Sequence, residues 1–217
     1  VGAKQDLSAK EGGYYTLRTE QGFAFTRCAT FRDRPGQSDM LHVDLWWRGQ
    51  NVAMDAGTYS YNASEPWNNP LAKTAYHNTV TVDDQDQMER VNKFLWLPWL
   101  KGKLSCTKRS SNGHLAYWEG SHDGYRRLPS PVDHRRAILQ LGEESWMILD
   151  QLIGATPHRY RLLWLLPDSE HTWHKNESLL VMKTGAGSYH VQTLAQPQKG
   201  ICSLVRCDEK SPRGWCA

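Results

Sequence analysis

Asp39-Met40-Leu41-His42-Val43-Asp44-Leu45-Trp46-Trp47-Arg48-Gly49-Gln50-Asn51-Val52-Ala53-Met54-Asp55-Ala56-Gly57-Thr58-Tyr59 consists of two apolar, aromatic-rich runs around a turn-forming cluster, Arg48-Gly49-Gln50-Asn51. That pattern predicts a β-hairpin. A two-residue turn at Arg48-Gly49 makes paired positions sum to 97 and sets His42 opposite Asp55. A turn at Gly49-Gln50 makes them sum to 99 and sets Asp44 opposite Asp55. Side chains alternate faces along a strand. His42, Asp44 and Asp55 therefore share one face in either register, provided that no bulge or three-residue turn intervenes. Directly opposed Cβ atoms lie roughly 5 Å apart, close enough for one ion to touch both side chains.

A second alternating run follows a polar loop, in Tyr76-His77-Asn78-Thr79-Val80-Thr81-Val82-Asp83. His42, Asp55 and His77 together offer two imidazoles and a carboxylate from separate strands. That donor set suits a three-ligand zinc site with an open fourth position. The same residues also fit hydrogen-bonded polar positions on a half-buried sheet, and no short-range motif forces them together. Arg32 and Arg34, in the loop Arg32-Asp33-Arg34-Pro35-Gly36, can present bidentate forks to a carboxylate or sulfate, or stand as solvated loop charges.

Leu41-His42-x-Asp44, Asp55-x-Gly57-x-x-x-Tyr61 and His77-Asn78-Thr79-Val80, with Gln87-Met88 after them, resemble the C-terminal β-sheet domain of the heparinase II/III-like family. That family includes lyases acting on heparin, heparan sulfate and alginate. The resemblance implies a structural metal, usually zinc, at His42, Asp55 and His77. It implies β-elimination on a uronic-acid polysaccharide, in which a base removes the proton α to the carboxylate and an acid protonates the leaving oxygen. It also implies an N-terminal helical toroid domain in the same parent chain, which supplies Tyr with His or Asn as the principal acid and base. A bacterial periplasmic or secreted parent is expected. The family's β-domain can add a His two positions before the metal-binding His; Met40 stands there and cannot transfer a proton. Arg32, Arg34, Tyr61 and Asn78 are the expected contacts to an acidic polysaccharide. The alternative is a carbohydrate-binding or structural β-sandwich with no catalytic role.

The whole chain agrees with an all-β reading. Its 217 residues are 39% hydrophobic and include ten tryptophans and nine tyrosines, enough for a sizeable core. A net charge of +3 is too small to indicate a nucleic-acid partner. The longest apolar runs, such as Leu162-Leu163-Trp164-Leu165-Leu166, are too short to span a membrane. The five cysteines, Cys28, Cys106, Cys202, Cys207 and Cys216, form no metal or disulfide spacing. Residues 1–13, with Gly12-Gly13, read as a linker out of an earlier domain, and residues 14–217 as one large antiparallel β-sandwich, supersandwich-like. Strands are expected at 14–18, 22–28, 91–97, 103–108, 114–119, 134–141, 145–153, 159–166, 179–184, 188–194 and 201–206. His171-x-x-His174 is read as part of a turn. No GxSxG, HExxH, phosphate-loop or dinucleotide motif occurs.

Overall fold

The computed structural model describes residues 5–196, 200–206 and 212–214. Cys207 and Cys216 lie outside the described residues; Cys28, Cys106 and Cys202 carry free thiols. The strands, in chain order, are β1 (Ser8–Ala9), β2 (Tyr14–Arg18), β3 (Gly22–Arg27), β4 (Val43–Trp47), β5 (Gln50–Ala53), β6 (Val80–Val82), β7 (Glu89–Asn92) and β8 (Leu95–Leu97). They continue with β9 (Gly102–Arg109), β10 (Leu115–His122), β11 (Val132–Leu141), β12 (Ser145–Gly154), β13 (Tyr160–Leu162), β14 (His171–His174), β15 (Leu179–Thr184) and β16 (Gly187–Gln192). Helical backbone among the described residues is confined to short 3₁₀ turns, none long enough to cross a membrane.

Strands β1 to β5 form one antiparallel sheet in sequence order, and β12-β11-β10-β9 form a second. A third sheet holds β14-β15-β16, and two-stranded ladders join β13 to β6 and β7 to β8. The two large sheets face each other across one core. Tyr15 of β2 packs on Trp118 of β10, with ring centroids 5.6 Å apart. Trp47 of β4 meets Tyr189 of β16 at 5.2 Å, which seats the third sheet against the same core. Fully buried side chains such as Trp96, Trp118 and Ile138 fill the space between layers. Each such apolar side chain contributes roughly 1.5–3 kcal/mol by leaving water. Inward and outward positions alternate along β4 and β12, as a sandwich requires.

The central hairpin turns at Arg48-Gly49, since Trp47 pairs with Gln50 and Trp46 with Asn51. Both turn residues have positive φ, 47° and 76°, the backbone of a type I′ turn whose twist matches the strands it joins. The ladder then slips: Leu45 pairs with Ala53, so Val52 is an extra, bulged residue. The bulge interrupts the alternation expected to carry Asp55 to the face of His42.

Other segments also depart from the expected strands. The leading segment, read as a linker, is partly sheet: Ser8–Ala9 pairs with Tyr14 and Tyr15, and Asp6 takes a bidentate fork from Arg109. Residues 91–97 fold into the β7–β8 hairpin, because Asn92 Oδ1 accepts the Phe94 N–H and reverses the chain. Pairing at 159–166 shrinks to Tyr160–Leu162, since Leu165 gives its N–H to the Asn78 side chain and its carbonyl to Met54. His171–His174 is a strand and not a turn, held by β15. Residues 201–206 are not assigned to a strand among the described residues, and Ile201 is almost wholly exposed.

Candidate metal centre

His42, Asp55 and His77 do converge, but the hairpin ladder is not what brings them together. Each lies just outside a strand. Leu41 takes a left-handed φ of 60° and turns the chain into His42, whose carbonyl accepts the Thr26 hydroxyl at 2.7 Å. Asp55 follows β5 in irregular backbone and accepts the Gly57 N–H at 2.7 Å. His77 ends the 3₁₀ turn Thr74–Tyr76 ahead of β6. His77 Nδ1 lies 2.7 Å from Asp55 Oδ2, and His42 Nε2 lies 3.6 Å from that oxygen and 3.4 Å from Asp44 Oδ1. The two imidazoles meet edge to face, with centroids 5.6 Å apart. One potential ligand atom from each of the three residues lies within 4.8 Å of the others.

The electrostatics suit a cation. Burial pushes the Asp55 carboxyl up, yet the hydrogen bond and charge of His77, the charge of His42 and the Gly57 amide together hold it at about 2. Burial pulls His77 down, and the Asp55 hydrogen bond and charge, with Asp39 behind them, raise it above its ordinary value. A positive charge is thus favoured between these groups. The residues also fit an ion by what they leave unsatisfied: His42 Nε2, His77 Nε2 and Asp44 Oδ1 are buried without a hydrogen-bond partner. One contact opposes it. The Asn78 N–H donates to His42 Nδ1 at 2.9 Å, which places the proton of a neutral His42 on Nε2. Offering Nε2 to an ion requires that proton to leave and the amide contact to loosen.

Behind the cluster stands a buried scaffold that the motifs did not show. Arg136 is fully buried. Its Nη1 donates to the carbonyls of Leu41 and Asn78, the neighbours of His42 and His77, at 2.6 and 2.5 Å. Its Nε and Nη2 bind the two oxygens of Asp150 at 2.7 and 2.8 Å. His134 Nε2 shares Asp150 Oδ1, and His122 meets His134 edge to face with nitrogens 3.1 Å apart. Gln87 clamps Met40 from both sides, accepting its N–H and donating to its carbonyl. Alternation along β11 is the sequence signal for Arg136: it shares the inward parity of Val132, His134, Ile138 and Gln140.

The other expected site residues divide. Asn78 is wholly buried, and its side chain is spent on Val43, Met54 and Leu165. It is a strut between segments, which corrects its reading as a polysaccharide contact. Tyr61 is exposed and packs on Phe94 at 5.5 Å. Arg32 and Arg34 are exposed, and Arg32 borders a shallow cavity of about 340 Å³ with Lys10, Glu11 and Tyr15. Among the described residues no hydrogen bond or ion pair joins Arg32, Arg34 or Tyr61 to the His42 cluster. Met40 is fully buried, and its sulfur accepts the Ala29 N–H.

Comparison with known proteins bears on the chain as a whole. The family model described as heparinase II/III-like, C-terminal, matches residues 2–216. A heparin-sulfate lyase of Bacteroides stercoris is 26% identical over 186 residues, 83% of this chain and 24% of that protein. A heparin-sulfate lyase of Pedobacter heparinus is 24% identical over 166 residues, 73% of this chain and 23% of that protein. Among solved structures, a heparinase III superposes with a TM-score of 0.72 at 16% identity, over 88% of this chain and 29% of its own. The heparan sulfate lyase of Pedobacter heparinus gives 0.70 at 21% identity, over 89% and 29%. These superpositions show the shared fold. The chain spans about a quarter of the length of the lyases that it matches.

Proposed function

The chain belongs to the heparinase II/III-like family as its C-terminal domain, and from that premise we propose that it is the β-sandwich domain of a polysaccharide lyase. In this reading the parent cleaves a uronic-acid-containing glycosaminoglycan of the heparin or heparan sulfate type by β-elimination. The domain carries a divalent metal, zinc, on His42, Asp55 and His77, and closes a cleft against a helical toroid domain. The convergence of those three side chains, with the His42 Nε2 atom buried and unpartnered, is the observation that carries the metal. The names of the two relatives support the substrate class, and the fraction of them that this chain spans supports a larger parent.

The residues present favour a structural role for the ion. It ties the start of β4, the end of β5 and the turn before β6 through two imidazoles and one carboxylate, and it supplies no proton transfer. Met40, sealed in the core, gives none either. The domain's own contribution is to hold the wall of the cleft, with Tyr61, Arg32 and Arg34 as exposed groups for an acidic sugar.

Elemental analysis of protein purified without chelator or affinity metal tests the site. About one equivalent of zinc is expected, and His77→Ala should abolish it and lower the melting temperature. Less than a tenth of an equivalent in the wild-type protein would sink the metal. A non-catalytic carbohydrate-binding role is the second reading, favoured by the exposed Tyr59, Tyr61, Phe94 and Trp99. A parent chain that binds but never cleaves heparan sulfate would select it.

A further inference from the structure

Three loops meet around another imidazole at the opposite end of β6 from His77. His158, after β12, has its Nδ1 2.6 Å from Asp83 Oδ2 and its Nε2 3.1 Å from Ser130 Oγ. Asp83 is itself fixed, since its Oδ1 accepts the Arg159 N–H at 2.8 Å. The His158 side chain is 4% exposed, enclosed by its partners, whereas Asp83 is 44% exposed. A carboxylate against Nδ1 keeps the ring proton on that side. The Nε2 lone pair then faces the Ser130 hydroxyl, which donates to it. A base held between an orienting carboxylate and a hydroxyl is the arrangement that activates a serine nucleophile, and geometry identifies it where no sequence motif does.

The surroundings give the arrangement room and a second component. Asp83, Ser130 and His158 line an open cavity of about 490 Å³ together with Gln85 and Arg127. Arg127 donates from Nη2 to the Asp86 carbonyl. As a lining residue it brings a positive charge to the cavity for a developing oxyanion. Thr156 Oγ1 sits 2.5 Å from Ser130 Oγ and 3.3 Å from His158 Nε2, a second hydroxyl farther from the base.

We propose that Asp83, His158 and Ser130 form a nucleophilic site that hydrolyses short-chain acyl esters. Leu128, Pro129 and Pro157 share the lining with the polar groups, and a small open cavity of that mixed lining suits a short acyl chain. Ser130 Oγ attacks the ester carbonyl carbon while its proton passes to His158 Nε2. The tetrahedral oxyanion is met by Arg127 or Gln85. The bond to the alcohol oxygen breaks, that oxygen takes the proton from Nε2, and the acyl group stays on Ser130. Water then attacks the acyl carbon, giving one proton to Nε2, and Ser130 leaves and recovers that proton. The sum is ester plus water to acid plus alcohol, with no oxidant or cofactor. This site is independent of the lyase reading.

The test uses the purified 217-residue chain with p-nitrophenyl acetate and with a fluorophosphonate probe followed by peptide mass spectrometry. Turnover is expected, with the covalent label on Ser130. Ser130→Ala should lower turnover by at least about a hundredfold and remove the label. Labelling of the wild-type chain needs no variant, so a poorly folded mutant does not blunt the test. Absence of a label at Ser130, a label at Thr156 instead, or equal hydrolysis by Ser130→Ala would each overturn the proposal.

Discussion

At the scale of single residues, Asp55 and His77 titrate as a pair, and the sign of their effect on stability follows from the directions of their shifts. Asp55 is held at about 2, below its ordinary 3.8. Its contribution is complete above pH 3.8 and is lost as pH falls through about 2. His77 is raised above 6.5. Its contribution is complete below pH 6.5 and is lost as pH rises through its folded value. In chelator-treated protein, the difference in melting temperature between wild type and Asp55→Asn should therefore be widest between about pH 4 and 6.5 and should narrow on both sides. A difference that stays flat from pH 3 to 8 would mean that the pair is not an ion pair in the folded state. The identities of these residues were legible in the sequence, because imidazoles and carboxylates flanking a hairpin are few. The role of Asn78 was not. Its neighbour His77 suggested a site-facing amide, and only the paths of three other segments show that those segments use up the amide.

Elements explain what residues alone do not. The turn at Arg48-Gly49 was legible, since a two-residue hairpin needs positive φ and Gly49 supplies it. The bulge at Val52 was not, because an extra apolar residue leaves the local pattern of a buried strand unchanged. The expected face-sharing of His42 and Asp55 therefore failed as a ladder argument, and the site is assembled by the ends of strands. What holds those ends is a pair of neighbouring strands in the other sheet: Arg136 on β11 is paired register-to-register with Asp150 on β12. Its guanidinium reaches across the core to the backbone beside His42 and His77. Burial pushes the Asp150 carboxyl up, but Arg136, by charge and hydrogen bond, and His134 hold it far below the usual carboxylate range. Arg136→Met leaves Asp150 buried with His134 in place of its main charge partner and should cost about 3–5 kcal/mol in denaturant unfolding. The double variant Arg136→Met with Asp150→Leu should recover much of that loss, since it removes both charges. If the single variant cost under about 1 kcal/mol, the network would not be holding the two layers together. If the double variant were also folded and bound metal as tightly as wild type, Arg136 would not be positioning the ligands.

For the whole molecule, the question is which chemistry one sandwich can perform alone. The all-β layering and its many short strands were legible from turn signals and alternation, whereas the division into one five-stranded and one four-stranded sheet was not, because strand order depends on long-range pairing. β-Elimination needs a base, an acid and a charge neutraliser placed around one sugar ring, and a misplacement of about 1 Å can cost about a hundredfold. In this fold His42 and His77 are buried and engaged with Asp55, while His122 and His134 are sealed behind Arg136. Met40 occupies a core position, and Tyr61 and the loop arginines stand exposed with no base joined to them among the described residues. The 217-residue chain should therefore form no unsaturated uronate from heparan sulfate, heparin or alginate, followed by the ultraviolet absorbance of the product. The same preparation should still bind zinc. Ester hydrolysis at Ser130 produces no unsaturated sugar, so the two assays report on separate ends of β6. Clear lyase turnover by the isolated chain, abolished by one change at His42, His77 or Tyr61, would show that this domain carries the proton transfer itself.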